Sequence, residues 1–384
     1  MNRISFLDDL PCDPLIARED TSYGWRGLTA KGEILEVRSR NGIPSGEVVM
    51  ARGGSAVARL AQPGNDAEPA SIGEYLRRYD AAVVHSRANR HLEALDEWDA
   101  ALAIAPTVFG RWNRAMTLLA LGRWLEGFWE YQECESVPAL MRPAVREAID
   151  AGIRQWRGEP IAGKHLLLIH AHGFGDTLMT LRYVELLKQR GARVTLLMPP
   201  ALESLASQIA PVVSEIVAAD YFCPMLHLLG VLQVTSGNLR VPSAPYLRPT
   251  VGRAGLLNGH DRCRIGIAWS TGHPDAANGG YDREIPLARL ISSLGDAEFH
   301  SVQIQDGETA RALGVVTYDF EDFGHCAEVM MTMDRIVSVD TAALHLAGAI
   351  GHPDVTGLLR EWHSWRWLAP WYANMKFRRF GDAN

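Results

Sequence analysis

Three short stretches carry residue types that could do chemistry. The first is Leu166-Leu167-Leu168-Ile169-His170-Ala171-His172-Gly173-Phe174-Gly175-Asp176-Thr177, an apolar run leading into a glycine-rich turn and then a helical pattern. Ligands of open α/β sheets bind at the carboxyl ends of the strands, so this turn is placed to face a cleft. Its glycines let the backbone approach a bound molecule. Asp176 or Thr177, near the helix start, either caps the helix or binds substrate. His170 and His172 alternate on the strand end, where an imidazole is more often a packed or hydrogen-bonded group than a base. The turn is neither G-x-G-x-x-G nor a Walker loop, which argues against dehydrogenase and NTPase chemistry.

The second stretch is Ile336-Val337-Ser338-Val339-Asp340-Thr341-Ala342-Ala343-Leu344-His345, followed by Leu346-Ala347-Gly348. An apolar strand ends in Asp-Thr and a helix of small residues begins at once. Free N–H groups at a helix N-terminus favour an anion such as a diphosphate. Thr341 and His345 are four apart and so share one helical face. An N-capping Asp340 and a core-edge His345 would account for the same residues. The third stretch, Ile265-Gly266-Ile267-Ala268-Trp269-Ser270-Thr271-Gly272-His273, opens into a polar loop reaching Arg283-Glu284-Ile285-Pro286. Its hydroxyls can donate to phosphate and Arg283 can neutralise one, although a surface arginine is the plainer reading.

These stretches need elements to hold them. From Gly163 onward, short apolar runs alternate with amphipathic helical patterns, as in βα units of a parallel sheet. Strands are expected at 165–170, 193–198, 264–269, 299–303, 335–339 and 355–359, and helices at 176–190, 287–294, 321–331 and 341–350. The proline-rich stretch Val241 to Pro249 interrupts this alternation, which implies two α/β lobes joined near residue 250. Upstream, residues 71–156 have a helical period. A self-similarity of about 33 residues aligns Glu93-Ala94-Leu95 with Glu126-Gly127-Phe128 and Trp98 with Tyr131. Ala82, Ala94, Trp98, Ala101 and Pro106 fall on the spacing of tetratricopeptide repeats, where small residues sit at helix contacts. An ordinary helical bundle with tryptophans in its core is the alternative. Residues 1–67 are rich in turns, with β-like runs at 33–37 and 47–50, and 61–69 reads as a linker. The expected organisation is therefore a β-rich segment (1–67), tetratricopeptide-like helices (68–158), a first Rossmann-like lobe (159–250) and a second (251–384).

Composition narrows the function. With 38 basic and 45 acidic residues the chain carries a net charge of −7, which argues against nucleic acid as the main partner. No uninterrupted apolar run reaches the ~18 residues that a transmembrane helix requires. Two acids in the opening MNRISFLDDL speak against a signal peptide, so a cytoplasmic protein is expected. The five dispersed cysteines, Cys12, Cys134, Cys223, Cys263 and Cys326, form no C-x-x-C pair, which gives no support to a disulfide framework or a zinc knuckle.

Taken together and in order, HAHGFGDTLMTLRYVELLKQRGARV, Asp220-Tyr221-Phe222-Cys223-Pro224, Ala244-Pro245-Tyr246-Leu247, IGIAWS with Arg283-Glu284-Ile285-Pro286-Leu287, and SVDTAALHLAGAIG with SWRWLAPWYANMKFRRF resemble a known family. They look like the tetratricopeptide-linked bacterial glycosyltransferases related to ADP-heptose:lipopolysaccharide heptosyltransferases (family 9-like), and more distantly like O-GlcNAc transferase. The resemblance covers about residues 160–380. It implies the GT-B architecture, α/β with two Rossmann-like lobes, and transfer of a sugar from a nucleotide-sugar donor to a hydroxyl of a glycan or protein. Such enzymes are usually inverting and metal-independent, with the nucleotide-sugar as substrate and no resident cofactor. By similarity, Asp340, Thr341 and His345, with Trp269, Ser270 and Arg283, would bind the donor. Asp176 is the candidate base, with His172 beside it, and Gly173, Gly175 and Thr177 would line the acceptor side. A terminal helix near 365–371 would return to the first lobe. The chain departs from that family in having His172 where an acid is common and no lysine in the stretch that follows Trp269 to bind phosphate, which leaves Arg283 as the substitute.

Two other classes share these features. One is a non-catalytic scaffold in which the helices bind a protein partner and the lobes have lost transfer activity. The other is an epimerase acting on nucleotide-sugars, which would need no acceptor.

Overall fold

The computed structural model describes residues 15–21, 24–29, 34–40, 43–44, 69–137, 140–249, 262–271, 283–304, 307–360 and 364–380. They divide into two compact units. The first takes the described residues up to 121 together with 129–137 and 140–141, and the second takes 122–128 and all described residues from 142 onward.

In the first unit, β1 (Leu15–Thr21), β2 (Gly24–Thr29), β3 (Ile34–Arg40) and β4 (Ile43–Pro44) form an antiparallel meander in chain order. The strand expected at 33–37 is the start of β3, while 47–50 and most of 61–69 lie outside the described residues. Helices α1 (Pro69–Arg87), α2 (His91–Ile104) and α3 (Val108–Ala120) follow, and α4 (Trp124–Glu135) is divided, Trp124–Phe128 belonging to the second unit and the rest to the first. Ala82, Ala94 and Ala101 are fully buried around Trp98, where α1 and α2 pack on each other. Alanine at these sites leaves room for the indole, whose edge meets the Tyr79 ring with centroids 4.8 Å apart. Its Nε1 donates to Thr117 Oγ1 at 3.1 Å, so the one polar atom of the buried ring is satisfied. Thr107 caps α3 by accepting from the Gly110 N–H.

The second unit holds α5 (Pro143–Asp150) and two five-stranded sheets whose strand pairs are all parallel. The first lobe runs β5 (Arg154–Gln155), β6 (His165–Ile169), α6 (Phe174–Thr180), α7 (Val184–Gln189), β7 (Arg193–Leu197), α8 (Pro200–Ala206), β8 (Val212–Val213), β9 (Tyr221–Pro224) and α9 (Leu228–Val231). Its sheet order is β5-β9-β6-β7-β8. The second lobe runs β10 (Arg264–Ala268), α10 (Leu287–Leu294), β11 (Glu298–Ser301), α11 (Gly307–Ala312), α12 (Phe323–Met330), β12 (Arg335–Val339), α13 (Ala342–Ala349), β13 (Val355–Leu359) and β14 (Met375–Arg379). Its order is β11-β10-β12-β13-β14. Central strands β6, β10, β12 and β13 are buried over nearly their whole length, as expected of parallel sheets covered on both faces.

Two expectations need correction. The helix foreseen over 176–190 is broken by a 3-10 turn at Leu181–Tyr183. Thr180 Oγ1 donates to the Asp176 carbonyl at 2.7 Å and Arg182 Nε to the Met179 carbonyl at 2.8 Å, and such side-chain donors compete with the α-helical ladder. The helix foreseen at 365–371 is a single 3-10 turn, Trp365–Leu368, and the chain then forms β14. Pro370 disfavours the helical region for the residue before it, and Ala369 is extended at φ −137° and ψ 154°.

Candidate functional site

The two central motifs meet inside the second unit. Asp176 lies in the first turn of α6, just past the carboxyl end of β6. Thr341 is the N-cap of α13, just past the carboxyl end of β12, with no side-chain capping bond. The helices approach so closely that a Cβ on Gly175 would stand 2.7 Å from His345 Cδ2 and 3.5 Å from Ala342 Cα. Glycine is required there by space. The contact brings the strand-end turn of one sheet against the helix start of the other.

Asp176 is buried but not unpaired. Arg366 Nε donates to its Oδ1 at 2.6 Å, and Arg366 Nη2 lies 2.5 Å from the same oxygen. Burial alone would raise the Asp176 pKa, but the Arg366 charge, with help from His172, holds it below the ordinary value. Asp176 is therefore a carboxylate at neutral pH. The N-cap of α6 is Gly173, so capping does not explain the acid's presence.

His345 is buried, with Nδ1 2.9 Å from the Tyr372 hydroxyl and its ring stacked on Trp367 at 4.6 Å. Burial pushes its pKa down to about 4, against the pull of Asp340. It is a neutral imidazole at working pH. Tyr372 in turn lies under Arg182, whose guanidinium carbon is 4.7 Å from the ring centroid. Arg182 is buried and donates to the carbonyls of Met179, Arg240 and Trp371 and to the Tyr246 hydroxyl. A first-lobe cation thus fixes the segment that orients His345.

Asp340 is buried at the end of β12. Arg283 Nη1 donates to its carbonyl at 3.0 Å and sits 3.5 Å from its Oδ2, so the proposed phosphate cation is already engaged with the acid beside it. The Trp269 ring belongs to the second-lobe core, while the Trp269 and Ser270 N–H groups both donate to Gln303 Oε1, at 2.8 and 3.1 Å. Ser270 Oγ donates to Glu284 Oε1 at 3.3 Å. Thr177 is buried and 2.8 Å from His170 Nδ1 through its hydroxyl, which places it behind the turn. The His172 ring lies 5.7 Å from that of His227. Arg366 and Tyr372 reach the site from a distant part of the chain, and Arg182 joins it through partners as far away as Trp371, so no local motif marks these three residues.

No family model matches the chain. It is similar to the protein FlbA of Caulobacter vibrioides, at 26% identity over 347 residues, covering 76% of this chain and 57% of FlbA. The chain thus spans little more than half the length of that curated relative. Among solved structures it is similar to a family 9 glycosyl transferase of Veillonella parvula, at 12% identity and a TM-score of 0.43, covering 59% of this chain and 88% of that one. It is also similar to the ADP-heptose lipopolysaccharide heptosyltransferase II of E. coli, at 13% identity and a TM-score of 0.41, covering 57% and 91%. Likenesses of this size stop short of assigning the chain to a family. Among the described residues, no helix is long and apolar enough to cross a membrane.

Proposed function

We propose that the protein is a glycosyltransferase of GT-B type that moves a sugar from a nucleotide-sugar to a hydroxyl acceptor on a glycan or protein. The contact between Gly175 and His345 carries the proposal, because it joins the Asp176 turn to the Asp340-Thr341-His345 element. The family resemblance in the sequence assigns those same two elements to base and donor site. In a single displacement, the acceptor oxygen attacks the anomeric carbon and its proton passes to Asp176. The bond from that carbon to the diphosphate breaks, and the nucleoside diphosphate leaves. One such step inverts the anomeric centre. The start of α13 and Arg283 stabilise the departing charge without calling on a metal, and neutral His345 contributes a ring N–H. In this reading the protein works in the cytoplasm, and the helices α1–α4 are tetratricopeptide-like and hold a protein partner, with Trp129 exposed on α4.

One observation favours a non-catalytic scaffold instead: Asp176 and Asp340 are each already paired with an arginine. Thermal shifts and calorimetry against UDP, GDP, ADP, CMP and dTDP, with and without chelator, separate the two. Selective binding of one nucleotide, unchanged by chelation and followed by slow hydrolysis of its sugar conjugate, is expected of the transferase. Silence across the panel from well-folded protein would leave the scaffold. Conversion of the donor sugar to its epimer would identify an epimerase.

A further inference from the structure

We infer that Arg366 is a positioning residue for Asp176, holding one carboxylate oxygen so that the other receives the proton of the attacking hydroxyl. The inference rests on the transferase reading above. It starts from an asymmetry in the ion pair. A guanidinium facing a carboxylate commonly forks, one nitrogen to each oxygen. Here Nε and Nη2 both lie against Oδ1, at 2.6 and 2.5 Å. The second oxygen, Oδ2, lies towards Gly173, 3.5 Å from where a Cβ on that residue would be. It therefore lies beside Gly173, which on the transferase reading lines the acceptor side.

Arg366 is itself held rigidly. Its Nη1 donates to Ser364 Oγ at 3.0 Å, and its guanidinium carbon lies 4.6 Å from the centroid of the Trp365 ring. Trp365 is buried, edge-on to Phe128 at 5.1 Å and to Trp124 at 5.9 Å. A cation anchored on a packed indole cannot follow the carboxylate through many rotamers. It fixes the carboxylate in one orientation, which is what a proton acceptor in a transition state requires. The proton balance is simple: the hydroxyl proton goes to Oδ2 as the oxygen–carbon bond forms, and Arg366 keeps its own protons throughout.

The titratable and charged groups of this part of the two lobes come from five elements. Arg366 approaches from the 3-10 turn before β14. His170 and His172 lie on the strand-end turn. His345 faces it from α13, with Asp340 just ahead of that helix. His227 stands on the 3-10 turn Met225–His227, and Arg182 on the turn that ends α6. Of these, Arg366 gives the largest lowering of the Asp176 pKa, against the raising effect of burial.

The test uses the full chain with Arg366→Gln and Arg366→Lys. The Asp176 carboxyl is followed by carbon-13 NMR titration, assigned through Asp176→Asn, and kcat and KM are measured against pH with the donor that the nucleotide panel identifies. Removing the guanidinium takes away the lowering influence, so in Arg366→Gln the carboxyl should titrate about one pH unit or more higher. The acid limb of kcat should move up with it, kcat should fall about tenfold or more, and donor KM should stay near wild type. Lysine restores charge but not the planar fork, so Arg366→Lys should recover the titration while kcat stays low. If Arg366→Gln does not fold, the lysine variant decides alone: full kcat there overturns the proposal. Turnover with an unmoved acid limb overturns it too, leaving the transferase reading intact. A shifted titration without turnover of any nucleotide-sugar overturns the transferase reading, and the positioning role with it.

Discussion

Gly175 and His345 sit so close that one methyl group would separate the helices that carry them: the added Cβ would lie 2.7 Å from His345 Cδ2. Gly175→Ala should therefore push the imidazole off Trp367 and destabilise the protein by about 1–3 kcal/mol, with weaker nucleotide binding. Gly173→Ala is the control, since its Cβ would meet nothing closer than 3.5 Å. Denaturant midpoints and calorimetry on both variants check this. Equal behaviour of the two would mean that the close approach has no role in holding the site.

Asp340→Ala and His345→Ala should each lower nucleotide affinity while leaving a cooperative unfolding transition. Asp340→Ala removes the carboxylate beside Arg283 while leaving the backbone carbonyl that this guanidinium also binds, a loss of about 1–3 kcal/mol at a partly exposed pair. Wild-type affinity by calorimetry in both variants would remove these residues from the donor site. Asp176→Asn, in contrast, should slow turnover with donor affinity retained.

Tyr372→Phe deletes the hydroxyl that sits 2.9 Å from His345 Nδ1 and leaves that buried nitrogen without it. The expected cost is about 1–3 kcal/mol of stability. Nucleotide affinity should fall as well, because the imidazole loses the contact that fixes which nitrogen bears its proton. A stability loss with unchanged affinity would show that the hydroxyl serves the fold alone.

Acid should destabilise the protein through its buried histidines, His345 and His170 foremost among them. Burial lowers both His345 and His170 to about 4, from an unfolded value of 6.5. The folded state binds these protons more weakly, so the stability they confer is complete above pH 6.5 and is lost as pH falls towards 4. The slope is about 1.4 kcal/mol per pH unit for each group in that window. Urea midpoints from pH 7 to 4 should show it, and His345→Gln should reduce the slope. An unaltered slope in that variant would place the proton uptake elsewhere.

The parallel strands were legible because they are buried on both faces and read as apolar runs, as in Leu166–Ile169 and Ile336–Val339. So were the strand-to-helix turns bearing Asp176 and Asp340. Strands β5 and β8 have two residues each, too few for any periodicity. Strand β14, Met-Lys-Phe-Arg-Arg, lies at the sheet edge with four of its five residues exposed, so it lacks the apolar signature. The partner of Asp176 was invisible for another reason: Arg366 is 190 positions away, and no local pattern announces such a pairing.

The chain between β13 and β14 joins two neighbouring parallel strands of the second sheet, and its described part runs through Trp365 to Tyr372. Arg366 fastens this crossover to Asp176, and Arg182 reaches its Trp371 carbonyl, both partners lying in the first lobe. The crossover is therefore a strap, stitched at both ends into one lobe and buttoned in the middle to the other. A hinge motion that parted the lobes would have to unbutton Asp176 and Arg182 or drag the outermost strand along. Amide exchange in β14 should accordingly rise and fall with cleft opening, although no residue of that strand belongs to the site.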